Sequence, residues 1–338
     1  MKKVLGIIGP TASGKSAIGR LLADTGRFRI INADSCQVYR GLEVLSAQKD
    51  AGLNVEKSAI LAGNGGFLYP EHVLYGILDC REKINAAEWL KLAILAVNES
   101  FLAGKIPVLL GGTGLYFKAF QNGFVNLPKI TENTQNYLDS LSLEEIRNQL
   151  QPAILAKFKD RQRLARALGI FLQTGQQITA FFEQKPDPGH DFEVEIFALL
   201  PPKEQIWDNV FRRLESIFPA ILAEVSRNLD LNSHITLGFD EIRAFLVNRP
   251  RFLSSILADI SCQDDLVKSA IQAGFSEFED CDFQQNFQRD LEKLKQEIFV
   301  KTRQYAKRQR TFIKTMEISA KFTNNLELFE FVKSFKFG

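Results

Sequence analysis

The sequence predicts an α/β protein: a parallel sheet flanked by helices, interrupted by a helical insertion. Three observations predict it. Short apolar runs, Val4-Leu5-Gly6-Ile7-Ile8 and Ile106-Pro107-Val108-Leu109-Leu110, each end in a glycine-rich turn and lead into a helical pattern. That alternation of strand and helix gives parallel strands joined by crossovers. Mostly helix-patterned sequence, bounded by Leu127-Pro128 and Pro186-Asp187-Pro188-Gly189, fills residues 123–188. The chain of 338 residues has room for one sizeable α/β core and an appendage.

The first turn is the most informative. Gly9-Pro10-Thr11-Ala12-Ser13-Gly14-Lys15-Ser16 has Gly, four residues, Gly, Lys, Ser, between an apolar run and Ala17-Ile18-Gly19-Arg20-Leu21-Leu22. In that setting, amide N–H groups curl around anionic oxygens and the helix start adds its positive end. Lys15 supplies a full charge, and the Ser16 hydroxyl is placed to ligate magnesium. This predicts a P-loop core that holds a polyphosphate without naming the reaction.

Phe28-Arg29-Ile30-Ile31 predicts the next strand, followed by Asn32-Ala33-Asp34-Ser35-Cys36-Gln37-Val38-Tyr39-Arg40-Gly41. Open α/β sheets place ligand groups at such carboxyl ends. Asp34 reads either as a helix N-cap or as a catalytic carboxylate. Gly63, Gly65 and Gly66 mark a loop, and residues 73–78 an edge strand. Asn85, with Glu88 completing a capping box and Gly104 ending the run, predicts a helix whose apolar face includes Leu90, Ile94, Val97 and Phe101. Gly111-Gly112-Thr113-Gly114-Leu115-Tyr116 follows the second buried strand; Thr113 reads as a ligand contact or as a cap.

Within the insertion, Lys157, Lys159, Arg161, Arg163 and Arg166 face one acid, Asp160. Such a run reads as a solvated helix face or a phosphate contact. Residues 192–200 resume a strand that completes the sheet, and a helix of about two dozen residues starts at Lys203. Residues 230–297 are largely helical, with a break at Asn248-Arg249-Pro250. In residues 301–314, six are basic and none acidic. Arg303, Lys307, Arg310 and Lys314 share one helix face, with Ile298, Tyr305 and Phe312 roughly opposite. A positive stripe on a packed helix suits a phosphate backbone.

A net charge of +2, 45% hydrophobic and 24% charged residues are ordinary for a globular chain, so only local clusters speak for nucleic acid. The spacing of Cys36, Cys80, Cys262 and Cys281 and of His72, His190 and His234 suggests neither a disulfide framework nor a zinc site. A reduced, intracellular setting is expected. The apolar run after Lys2-Lys3 stops at Gly9-Pro10, too short for a signal peptide.

Taken in order, residues 9–16, 34–41, 111–116, 162–168 and 305–309 resemble the tRNA dimethylallyltransferase family, the tRNA isopentenyltransferases. The segment Asp34-Ser35-x-Gln37-Val38-Tyr39, paired with Gly111-Gly112-Thr113-Gly114-Leu115-Tyr116, is the specific part. The resemblance implies a catalytic core over 1–122 and 189–338, and an insertion over 123–188 that closes on the tRNA anticodon stem-loop. It implies that residues 9–16 hold dimethylallyl diphosphate with Mg2+ near Ser16. Asp34 matches the general base and Thr113 the reaction centre. Asp34, Ser35, Cys36, Gln37 and Thr113 match contacts to the target adenosine, and Gln162, Arg163, Leu164, Ala165 and Arg166 contacts to RNA. Arg303, Lys307 and Arg310 are added as RNA contacts from their helix face. The chain departs from the family pattern at Cys36, where Met is usual, and in residues 45–49, which keep part of a Gly-Thr-Ala-Lys-like segment. A cytoplasmic monomer is expected. The alternative reading is a P-loop small-molecule kinase using ATP; a third is an RNA-binding protein with a decayed site.

Overall fold

The computed structural model describes residues 2–48, 71–125, 127–183, 186–231, 236–259 and 281–335. The loop read at Gly63, Gly65 and Gly66, Lys49, His234 and Cys262 lie outside them. Two compact units are present: Met1–Phe120 with Asp191–Gly338, and Gln121–His190.

The first unit is built on a parallel six-stranded sheet in the order β3-β2-β4-β1-β5-β6. Its strands are β1 (Lys3–Ile8), β2 (Phe28–Asn32), β3 (His72–Val73), β4 (Ile106–Gly111), β5 (Glu193–Leu199) and β6 (Ala320–Phe322). β1 and β4 are central and almost wholly buried, as parallel strands covered on both faces should be. Pro107 survives in a central strand because of its place. Ile106 N–H donates to Arg27 O on the β2 side, so Pro107 turns its missing donor to the β1 side, where pairing starts only at Leu5 opposite Val108.

Two strand readings need correction. The edge strand read over 73–78 is only β3, because Leu74 takes φ +64° and the chain leaves the ladder. The sheet is not completed by β5: β6 returns from the far end of the chain to pair with it. Three residues are too few for a period-2 signal to register. β6 leads into α13 (Asn325–Ser334), and the edge is sealed by Phe197 with Phe322, Phe331 and Phe335 at 5.2–6.3 Å.

α1 (Lys15–Asp24) crosses from β1 to β2, and α2 (Ala86–Leu102) leads to β4. The Asn85–Glu88 capping box is present. The buried face of α2 is Trp89, Leu90, Ala93, Ala96, Val97 and Ser100; Ile94 and Phe101 sit at its margins. The small residues let α2 approach the sheet, and Trp89 fills the remaining space. Trp89 is fully buried, stacks on Tyr116 at 4.1 Å, and donates Nε1–H to Asn32 O at 3.0 Å. It therefore pins the carboxyl end of β2. α3 (Gly114–Asn122) follows β4.

The second unit contains α4 (Glu132–Ser140), α5 (Leu143–Asn148), α6 (Pro152–Lys157), α7 (Arg161–Thr174) and α8 (Ile178–Phe181). Its core includes Leu138, Ile146, Ile154, Leu164, Leu168 and Ile170. A bridge between Phe124 and Asp187 ties its two ends.

The first unit continues with α9 (Lys203–Ser226), the length expected, then α10 (Phe239–Val247), α11 (Pro250–Asp259) and α12 (Cys281–Ile313). Asn248 ends α10 and Pro250 opens α11, because proline is tolerated at a first helical position.

Trp89→Phe keeps most of the volume and leaves Asn32 O without its donor. An unfolding midpoint lowered by about 1–3 kcal/mol equivalent is expected in urea titration. An unchanged midpoint would remove Trp89 as the anchor of β2.

Candidate functional site

The carboxyl ends of β1, β2 and β4 open into one cavity of ≈570 Å³. Residues 9–16 link β1 to α1 there, with Ala12 at φ +59° and Gly14 at φ +94°. The positive φ of residue 14 favours glycine, and a Cβ there would also displace the Asn325 side-chain amide at the start of α13. Gly9 N–H donates to Gly111 O at 3.3 Å, tying this loop to the end of β4.

Lys15 folds over its own loop, Nζ donating to Pro10 O at 2.6 Å and lying 3.3 Å from Ser13 Oγ. Burial lowers its pKa from 10.5 to about 8, and the Asp34 charge opposes that shift. Burial pushes the Asp34 carboxyl up from its ordinary value, against the Cys36 N–H, Lys15 and the Gly112 N–H. Both side chains keep some surface in the cleft, but its walls strip most of their water. A bound polyanion would restore the lysine charge and remove the mismatch.

Asp34 is aimed by Asn32, a fully buried residue that the sequence reading left unassigned. Asn32 Oδ1 accepts from Asp34 N–H at 2.9 Å, and Nδ2 donates to Asp34 O at 3.0 Å and Leu74 O at 3.1 Å. Asp34 Oδ1 accepts from Cys36 N–H at 3.0 Å, so it caps a turn rather than a helix while facing the cavity. Thr113 stands directly before α3, and its carbonyl accepts from Tyr116 N–H at 2.9 Å. Its Oγ1 accepts from Ser35 N–H at 2.9 Å and donates to Ser35 Oγ at 3.1 Å, which locks the loop after β4 to the turn after β2. Cys36 and Gln37 line the cavity.

α12 completes the site with two residues that the sequence analysis does not name among the site residues. Gln309, buried, accepts Thr11 N–H at 2.8 Å and donates Nε2–H to Gly112 O at 3.0 Å. One amide thus spaces the glycine loop from the Asp34–Thr113 side, and Gly112 is glycine because a Cβ there would strike Gln309. Tyr305 faces the cavity beside Thr113. The signal was readable as a polar residue on an otherwise apolar helix face, with Ile298, Tyr305, Ala306 and Ile313.

The basic stripe of α12 is divided. Arg303 lies over Trp207 at 4.0 Å, and Arg310 donates to Pro201 O at 2.6 Å, so both dock the helix on the core. Lys307 and Lys314 are exposed. In α7, Leu164 and Ala165 are buried in the core of the helical unit, which corrects their reading as surface contacts. Arg161 donates to Leu138 O and Leu141 O, and Arg166 to Pro128 O, so part of the charge run ties that unit's own chain together. Gln162 and Arg163 remain exposed.

The remaining cavity wall is mixed: Leu214, Ile217, Ile221, Leu237 and Ile298 form an aliphatic part, and Arg20, Asn209, Arg213, Thr236 and Thr302 a polar one. Among the described residues, no three His, Cys, Asp or Glu side chains gather to hold a metal ion, and no helix is long and apolar enough to cross a membrane.

A parallel sheet with a lysine-bearing glycine loop and an aspartate meeting in one cavity at its carboxyl edge defines an α/β protein with its cleft where such sheets place ligands. The chain belongs to the IPP transferase family, whose profile matches residues 37–316. It is 33% identical over 279 residues to the tRNA dimethylallyltransferase of Granulibacter bethesdensis, covering 80% of this chain and 82% of that one. To the protein of the same name from Hyphomonas neptunium it is 36% identical over 257 residues, 71% of this chain and 77% of that one. In fold it resembles a eukaryotic dimethylallyltransferase acting on tRNA, with TM-score 0.65 at 21% identity over 93% of this chain and 70% of that one. It also resembles the tRNA isopentenylpyrophosphate transferase of Bacillus halodurans, with TM-score 0.57 at 22% identity over 98% and 96%.

The Lys15 shift sets a pH dependence. Below about pH 8 Lys15 is already protonated, and a polyphosphate binds without proton uptake. Above it, binding must reprotonate the amine. The affinity for inorganic pyrophosphate, measured by calorimetry, should be level from pH 7 to 8 and fall toward tenfold per pH unit above. Lys15→Met should bind weakly and without that fall. A wild-type profile level to pH 9.5 would contradict the desolvated lysine.

Proposed function

We propose that this chain transfers a dimethylallyl group from dimethylallyl diphosphate to the exocyclic amine of the adenosine 3′ of the anticodon in tRNA. The observation that carries the reading is the meeting of Lys15, Asp34 and an aliphatic stretch of wall in one cavity, in a member of the IPP transferase family. The curated relatives named tRNA dimethylallyltransferase support the same reading.

The chemistry follows from the groups present. Amides of residues 12–16 and Lys15 hold the diphosphate and take up negative charge as its C–O bond breaks. The aliphatic part of the wall keeps the five-carbon group dry. The adenosine amine is a weak nucleophile because its lone pair is delocalised into the ring, and a stacked base cannot present it to the cavity, so the base must leave its stack. Asp34 accepts the proton as the new C–N bond forms, and its raised pKa makes it a stronger base than an exposed aspartate. Thr113 and Ser35 fix the side of the cavity where that proton leaves. The Ser16 hydroxyl, lining the cavity beside Lys15, fits magnesium, which keeps its waters and substrate phosphate oxygens and needs few protein ligands. Held there, magnesium would supply further charge neutralisation to the leaving diphosphate. Lys307 on α12, and Gln162 and Arg163 on α7, are the exposed residues assigned to the anticodon stem-loop. A cytoplasmic monomer suits a tRNA substrate.

Dimethylallyl diphosphate should raise the melting temperature where ATP does not; the reverse result favours phosphoryl transfer. Asp34→Asn should lower single-turnover transfer about a hundredfold or more with RNA binding nearly kept. Near-normal turnover would overturn the base assignment. Lys307→Ala should weaken binding of all substrate tRNAs alike and flatten the log–log salt dependence by up to about one unit. Superimposed salt curves would return Lys307 to the solvated surface.

A further inference from the structure

Between the Asp34 turn and residue 48 the chain makes a second turn that lines the cavity with Leu45, Ser46 and Ala47. It forms no helix or strand, and α9 holds it. Glu224 is buried, and its carboxylate accepts two successive backbone N–H groups, Val44 at 2.7 Å and Leu45 at 2.8 Å. One turn of helix on, Asn228 Nδ2 donates to Gly41 O at 3.0 Å, and Arg213 Nη2 donates to Val44 O at 2.9 Å. The turn in turn holds Gln37. Its side-chain Nε2 donates to Ser46 O at 3.0 Å, and Gln48 Nε2 donates to Gln37 O at 2.8 Å. With Nε2 pinned in this way, Gln37 Oε1 is an acceptor with no donor among the described residues. The Ser46 hydroxyl next to it is buried, lines the cavity, and has no hydrogen-bond partner among the described residues.

We infer that Glu224 is a positioning residue that acts through Gln37: by gripping the 44–45 amides it sets the rotation of the Gln37 amide and the place of the Ser46 hydroxyl toward the acceptor base. A carboxylate is suited to this because both of its oxygens accept. An amide in its place would turn an N–H donor toward one of the two N–H groups, and that buried donor would lose its partner. The donor side of the cavity is held by other groups: Gly9 N–H by Gly111 O, Thr11 N–H by Gln309 Oε1, and Ala12 O by Asn209 Nδ2 from the opposite half of α9. The inference rests on the proposed function only for the identity of the base.

The test is Glu224→Gln in the full chain, assayed with dimethylallyl diphosphate and an anticodon stem-loop RNA, alone and combined with Gln37→Ala. Transfer efficiency for the RNA should fall about tenfold or more, with affinity for the diphosphate within about twofold of wild type. In the Gln37→Ala background the same change should cost less than about threefold, because the two residues act as one unit. Hydrogen exchange in a peptide spanning 41–48 should speed up while the rest of the sheet keeps its protection. Equal losses in both backgrounds, unaffected transfer, or loss of diphosphate affinity alongside RNA efficiency would each overturn the inference. If Glu224→Gln does not fold, Glu224→Asp carries the same cycle; loss of the fold in both would assign Glu224 to stability alone and overturn it. Should the wild-type protein transfer nothing, the proposed function fails instead, and the exchange at 41–48 and the stem-loop affinity still read the Glu224 assignment.

Discussion

A lysine and a carboxylate share one enclosed cleft, and the surrounding structure serves to keep them there. Desolvation drives each toward its neutral form, and their mutual attraction recovers only part of that cost. Such a pair persists only when the backbone leaves it no alternative position. Residue 14 favours glycine, Asn32 must bracket Asp34, and Thr113 must lock the two turns together. A diphosphate entering beside Lys15 and an amine entering beside Asp34 each find a partner whose charge state their own chemistry completes.

The far end of the chain is what finishes this arrangement. Gln309 spans from the glycine loop to Gly112, Asn325 abuts Gly14, and β6 with α13 seals the sheet edge beyond β5. The family profile ends at residue 316, so the last strand and helix lie outside it, yet α13 packs beside the helix that carries Lys15. The site is therefore a product of tertiary closure, and it forms only when residues separated by some three hundred positions meet.

That closure explains what was legible in the sequence and what was not. The glycine loop, the strand before it and the helix after it are local, and their spacing alone locates Lys15 and Ser16. The capping box at Asn85 and the proline break at 250 are local too, and both stand. Asp34 and Thr113 are legible as polar groups at strand ends, but their partners are not, because nothing in the polar run 32–41 says which members bracket Asp34 and which reach Thr113. β6 escaped because three residues carry no periodicity. For the basic residues, a charge run shows where cations are, and only packing shows that Arg303, Arg310, Arg161 and Arg166 also have partners within the chain. Leu164 and Ala165 entered through the resemblance, although their place on the apolar face of α7 marks them as core.

The central claim is that this cleft joins a five-carbon diphosphate to an adenosine amine in tRNA. The most direct measurement incubates the purified protein with dimethylallyl diphosphate, magnesium and an unmodified tRNA bearing adenosine 3′ of its anticodon, digests the RNA, and identifies the nucleosides by mass spectrometry. The account predicts one added C5 group per tRNA, on the exocyclic nitrogen of that adenosine, with release of one diphosphate. Unmodified adenosine at that position, or release of phosphate from ATP with no change in the RNA, would contradict it.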